Sequence, residues 1–402
     1  MTRSRKVLLA IAIVVVVSQI PFAYRRYKLG QLNAVIQTVN SNRQSPLTQS
    51  NFTEYKGVMH VHSFLGGHSS GTFQDIISAA QANQLDFVIM TEHAEKNFDT
   101  AEMTLKGNHG GVLFVNGNEI SSSSGERLLV IPGDSTSRDA EKLTISDLTN
   151  KTRNRGALSV AAYPEDFNSW DAQGLDAVEI YNVYTNARQV SPVLALFDVV
   201  WSRRSYPALL FATFYKRPSE SIRRWDEALA HARLTATPGN DAHANIGLSL
   251  NDSSGNTILG LQLDSYETSF NLVRLHVLIP RDQSLNNETL MQSIKLGHCF
   301  IAFDLFANST GFSFTAETVA NKRVQGDEVK LQGGTRLKVD VPVSARVVLF
   351  RNGDPKSDEI GVTSKSYEVS ETGVYRVEVY LPQLGKPVGE QPWIISNPIY
   401  VR

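Results

Sequence analysis

Five of the nine histidines in this chain fall at the ends of short apolar runs or just beyond them. His60-Val61-His62 follows Gly57-Val58-Met59, and His68 lies a few residues on, in Gly66-Gly67-His68-Ser69-Ser70-Gly71. His93 closes Phe87-Val88-Ile89-Met90-Thr91-Glu92, and Asp241-Ala242-His243 follows Gly239-Asn240. Glu119 ends a further run, in Gly117-Asn118-Glu119. Imidazoles and carboxylates gathered at strand ends are how proteins hold divalent cations. Five His, one Glu and one Asp exceed a single tetrahedral site, so His60, His62, His68, His93, Glu119, Asp241 and His243 predict two ions. A mixed nitrogen and oxygen set suits Zn, Mn or Fe better than Mg alone. The chemistry implied is hydrolysis by a water whose pKa coordination lowers towards about 7, with a carboxylate such as Glu119 able to bridge the pair. No Ser, Cys or Lys nucleophile is signalled.

Those residues need elements to carry them. Val58–Val61, Asp86–Met90, Val112–Val115, Arg127–Ile131, Ala157–Ala162, Ala177–Ile180, Leu234–Thr237 and Leu272–Ile279 read as strands. Helical spacing separates several of them, over Thr72–Asn83 with Thr72 as N-cap, Arg138–Thr152, Ser191–Arg203 and Ser219–Arg233. Strands alternating with helices predict an α/β fold with a mostly parallel sheet, closed or open, covered by helices. Strict alternation along the first strand would put His60 and His62 on one face and Met59 and Val61 on the other. Glu92, turned away from His93, reads as a structural or supporting group.

The remaining composition narrows the class. The chain has 402 residues, a 42 % hydrophobic fraction and a formal charge of −1, with no basic platform for nucleic acid. Cys299 is its single cysteine, so no disulfide can form within the chain. At the N-terminus a basic stretch, Arg3-Ser4-Arg5-Lys6, precedes wholly apolar Val7–Val17, and weaker apolar sequence runs on to Ala23. Pro21 spoils the small-residue pattern of a cleavage site. Residues 1–28 therefore read as an uncleaved signal anchor, with the bulk exported from a bacterial inner membrane to the periplasmic or extracellular side. Polar residues 29–54 read as a linker, a stalk or short helix. After Ser309, turn signals at Asn352-Gly353 and Thr372-Gly373 separate short β-rich segments, and residues 309–402 read as an Ig-like β-sandwich.

The ordered motifs His-x-His, loop ligand, Thr-Glu-His, Gly-x-Glu and Gly-x-Asp-x-His resemble those of the PHP superfamily, named for polymerase and histidinol phosphatase domains. The resemblance covers residues 55–308 and implies a distorted (β/α)7 TIM-like barrel that hydrolyses phosphate esters with two or three metals. The last segment, Pro392 to Val401, is similar to the tails of PHP-like proteins related to carbamate-hydrolysing bacterial enzymes. The family's usual His-Pro is replaced here by Tyr163-Pro164. That favours two ions over three and offers Tyr163 as a hydrogen-bond donor to substrate. Asn182 is a further candidate pocket residue. Arg188, Lys216 and Arg217 could meet an anionic substrate, though solvated surface charge accounts for them as well.

The expectation is a membrane-anchored metal-dependent hydrolase acting on a small molecule, with a phosphoester as favoured substrate and a carbamate, ester or amide as the alternative. A different class of reading is a degenerate, non-catalytic barrel serving as an exported binding module. No protein partner is signalled.

Overall fold

The computed structural model describes residues 2–44, 51–187, 192–244, 247–251, 257–262, 265–318 and 322–402. Arg188 lies outside the described residues. The elements that position the site are β1 (Phe52–Val61), β2 (Phe87–Met90), β3 (Glu92–His93), β4 (Val112–Val115), β5 (Asn118–Ser121), β6 (Arg127–Ile131), β7 (Leu158–Ala162), β8 (Ala177–Asn182), β9 (Thr235–Gly239), β10 (Arg274–Pro280) and β11 (Cys299–Ala302).

Among the described residues these strands divide into two sheets of mixed direction, which differs from a single closed parallel barrel. One sheet contains β4, β2, β1, β10 and β11 in that order. The other runs β9-β8-β7-β6-β5-β3. β5 and β6 pair antiparallel because only Ser122–Glu126 joins them, too short for the crossover that parallel neighbours need. β10 is antiparallel to β1. The two sheets adjoin where β2 passes into β3 and where Asn240–Ala242 lies along the end of β1, with Asn240 N to Met59 O at 3.0 Å and His62 N to Ala242 O at 3.0 Å.

Between the sheets lies an apolar cluster that includes Met59, Ile89, Val115, Leu129, Val160 and Val277. Each is fully buried, and cutting one to alanine would cost about 2–5 kcal/mol. Helices cap the outside. Phe73–Ala82 starts at Thr72, whose hydroxyl accepts from Asp75 N while the Asp75 carboxylate accepts from Thr72 N.

The β-rich segment after Ser309 joins the same framework. Phe300, Ile301 and Ala302 of β11 register with Ser396, Ile395 and Ile394, so the C-terminal strands continue the first sheet. Where the turn signals suggest only short β segments, Arg336–Arg351 is one long strand with register shifts in its pairing. It turns at Asn352 and Gly353, φ 50° and 84°, into Asp354–Glu368.

The N-terminal helix α1 (Arg3–Ser41) is long and apolar enough in its first half to cross a membrane. It continues through residues 29–41, part of the segment read as a stalk or short helix. Leu29, Ile36 and Val39 lie on one helical face and are buried in the main core. Beyond the helix, Gln44 N donates to Pro342 O at 2.8 Å.

Candidate metal centre

The backbone of β1 deviates at the first histidine. Met59 registers with Ile89 and Val61 with Met90, leaving His60 as an extra residue in left-handed conformation, φ 63°. Strict alternation therefore fails. Met59 packs between the sheets, while Val61 joins Val58, Val88 and Ala242 in a separate cluster. The bulge aims His60 inward beside His62, with ring centroids 5.1 Å apart. Tyr163 and Asp241 also hold positive φ, 50° and 48°. Non-glycine residues in this region cost of order 1–3 kcal/mol each and persist where the surroundings over-determine them.

Two carboxylates face the imidazoles, each with one oxygen tied behind. Glu119 Oε2 lies 3.2 Å from His60 Nε2, 3.3 Å from His62 Nε2 and 3.4 Å from His93 Nδ1. Its Oε1 accepts from Arg127 Nη1 at 2.9 Å. Asp241 Oδ1 lies 3.5 Å from His60 Nε2, 3.6 Å from His62 Nε2 and 3.3 Å from His243 Nδ1. Its Oδ2 accepts from Tyr163 Oη at 2.8 Å and Asn182 Nδ2 at 3.3 Å. The rings of His62 and His243 stack at 4.1 Å, and those of His62 and His93 at 4.5 Å.

Two overlapping groups of side chains present donor atoms close enough to hold a metal ion: His60, His62 and Glu119, and His62, His93 and His243. The donor set fits divalent ions. His62 Nδ1 and Nε2 and Asp241 Oδ1 are buried without a hydrogen-bond partner, a cost that coordination would relieve. Burial, reinforced by His243 and His60, holds the His62 imidazole well below its usual range. Burial lowers His93 to about 4 against the opposing pull of Glu119. Both rings are therefore neutral at neutral pH, the form that ligates. Burial would raise Glu119, but the hydrogen bond and charge of His60, with His93 and Arg127, outweigh it and hold the carboxyl at about 2. Burial opposes the charged form of His60, yet Glu179 and Asp241 outweigh it and the ring is raised well above its usual range.

Glu179 is the residue that motif reading missed. It is fully buried on β8, with Oε1 2.5 Å from His60 Nδ1. A carboxylate behind an imidazole fixes which ring nitrogen faces the centre. Its signal was present: a carboxylate inside Ala177-Val178-Glu179-Ile180, otherwise a buried strand, needs a partner. Arg127, missed as well, opens an apolar strand and reaches diagonally across to Glu119. Asn182 also donates to Glu179 Oε2 at 3.3 Å, which places it behind both Asp241 and Glu179.

His68 sits apart. It is exposed at the rim, its ring edge-on to His93 at 5.2 Å, and it belongs to neither group. With Gly66, Lys96, Arg127 and Glu141 it lines a cavity of about 240 Å³ that opens beside His93 and Glu119. Glu92 points away, as expected, and holds Ser63 through its hydroxyl at 2.6 Å and its N–H at 3.0 Å. Burial keeps Tyr163 protonated, aided by Asp241 and Glu119, so it acts as a donor. Arg217 is a structural cation, bound by both oxygens of Glu378 at 2.7 and 2.5 Å, and Lys216 is exposed.

No family model matches the sequence, and no curated protein matches it. Solved structures do resemble it. One is a two-domain protein from Bacteroides vulgatus containing a predicted PHP-like metal-dependent phosphoesterase, at 13 % identity and TM-score 0.40, over 89 % of this chain and 99 % of that one. PsfC from Pseudomonas syringae aligns at 15 % identity and TM-score 0.37, over 60 % of this chain and 90 % of that one. A lesion-specific endonuclease from Pyrococcus furiosus aligns at 14 % identity and TM-score 0.36, over 60 % of this chain and 56 % of that one.

Proposed function

We propose that this chain is a PHP-type metal-dependent hydrolase that cleaves phosphoesters with two divalent ions. The observation that carries this reading is the convergence of Glu119 Oε2 and Asp241 Oδ1 on four imidazoles, with His62 facing both. His60, His62, His93, His243, Glu119 and Asp241 would hold the ions, with His68 at the rim beside His93. Ions so held supply Lewis acidity and ionise a water near neutral pH.

The protein's own groups have separate tasks. Glu179 holds His60 in one orientation. His60, with His93 and Arg127, keeps Glu119 ionised, and Arg127 lines the mouth with Lys96, Glu95 and Glu141. Tyr163 and Asn182 immobilise Asp241, and Tyr163 cannot act as a base because its proton is retained.

The test is metal analysis of the purified full chain, followed by a panel of phosphomonoesters, phosphodiesters, carbamates and aryl esters with Mn, Zn and Fe. Two equivalents of metal and turnover of a phosphoester, abolished in His60→Ala, are expected. Less than one equivalent with no turnover after metal addition would point to the non-catalytic binding module.

A further inference from the structure

Helix α1 does not stand alone at the end of its apolar stretch. The helix Pro192–Ser202 packs against it. Trp201 Nε1 donates to Gln19 Oε1 at 3.0 Å, and Phe22 stacks on Phe197 at 4.7 Å. Arg25 Nη2 meets Asp198 Oδ2 at 2.5 Å, and Arg26 Nη1 donates to Trp201 O at 2.5 Å. Asp198 is the only charged residue of the second helix, and this pairing takes its charge out of play.

These contacts fall where α1 changes from apolar to basic. On its outer side, Val200 is 69 % exposed, next to half-buried Trp201. Tyr24 and Tyr27 are exposed at the same level of α1, and Lys28 and Arg204 are exposed nearby. Aromatic rings with a cationic fringe are the side chains that settle at the headgroup boundary of a bilayer. A short apolar helix lying in that boundary gains by burying its outer face in acyl chains.

We infer that helix 192–202 is a second membrane-contacting element, seated in the bilayer interface beside α1 with Val200 directed into lipid. The inference rests on the reading of α1 as a membrane span. In chain order this helix follows β8, which carries Glu179 and Asn182, and Val183–Ala187.

The full chain reconstituted in phosphatidylglycerol and phosphatidylethanolamine vesicles tests it. Spin labels are placed singly at Leu8→Cys, Val200→Cys and Ile360→Cys; native Cys299 is buried and stays unlabelled. Collision rates with oxygen, which partitions into lipid, are compared with those of a water-soluble nickel chelate. The expected oxygen-to-nickel ratio at position 200 is several-fold above that at exposed position 360 and approaches that at position 8. A lipid-like position 8 with a water-like position 200 overturns the inference and leaves the span standing. Water-like values at both overturn the span and the inference together. Low collision rates with both reagents at position 200 mean that protein, such as a second copy of the chain, covers the face, and this also overturns it.

Discussion

Tyr163 donates its hydroxyl proton to Asp241 Oδ2 at 2.8 Å, and both residues reach that contact from left-handed backbone. The phenol fixes the outer oxygen of a carboxylate whose inner oxygen faces three imidazoles. Tyr163→Phe keeps the packing and removes that hydrogen bond. Losing such a supporting partner typically costs about 10–100-fold in metal affinity or activity. Chelator competition and kcat/KM on the same preparation measure it, and unchanged values would remove Tyr163 from the centre.

His62 belongs to both donor groups, whereas His60 and Glu119 belong to one and His93 and His243 to the other. His62→Ala should therefore strip both ions. His243→Ala should leave one. Metal stoichiometry by mass spectrometry separates the cases. An identical loss in the two variants would mean that the groups form a single site.

Gly239 is a close-approach glycine. A methyl group there would lie 1.9 Å from Glu179 Oε1. Gly239→Ala should displace Glu179, release His60 and destabilise the fold by about 1–3 kcal/mol through overpacking. Gly333, with open space around it, provides the control: Gly333→Ala should leave the unfolding midpoint and activity unchanged.

Far from the centre, His276 bridges Glu54 Oε1 at 2.7 Å and Asp304 Oδ2 at 3.1 Å, close to Ser309 and Arg274. Burial would lower its pKa, but Asp304 and Glu54 outweigh burial and raise it to about 9. A folded value above the unfolded one stabilises fully below about 6.5 and loses that stabilisation as pH rises through about 9. The difference amounts to about 3 kcal/mol. Thermal unfolding of the metal-loaded chain from pH 6.5 to 9.5 should show this decline, and His276→Gln should flatten it. An equal slope in the variant would assign the decline to other groups.

The cluster was legible because strand-end histidines keep their order in the sequence, and the structure gathers His60, His62, His93, Glu119, Asp241 and His243. Glu179 was harder to see, because its significance depends on β8 lying opposite His60. The bulge that turns His60 inward has no glycine to announce it. Sheet direction was misread where helices and strands alternate, although the short Ser122–Glu126 link already favoured a hairpin. The pairing of Phe300–Ala302 with Ile394–Ser396 joins segments about ninety residues apart, and no local pattern reports such a contact.

A continuous helix of 39 residues, about 58 Å at 1.5 Å per residue and with Pro21 inside it, runs from the apolar terminus into the protein core. Such a rod is a mast and not a leash. A flexible tether would let the site sweep a hemisphere; a mast holds it at constant altitude and heading. Were α1 to span a bilayer, encounter would become a two-dimensional search by lateral drift, confined to a thin shell beside it. Lengthening α1 by one turn would lift that shell by about 5.4 Å and rotate the mouth only slightly.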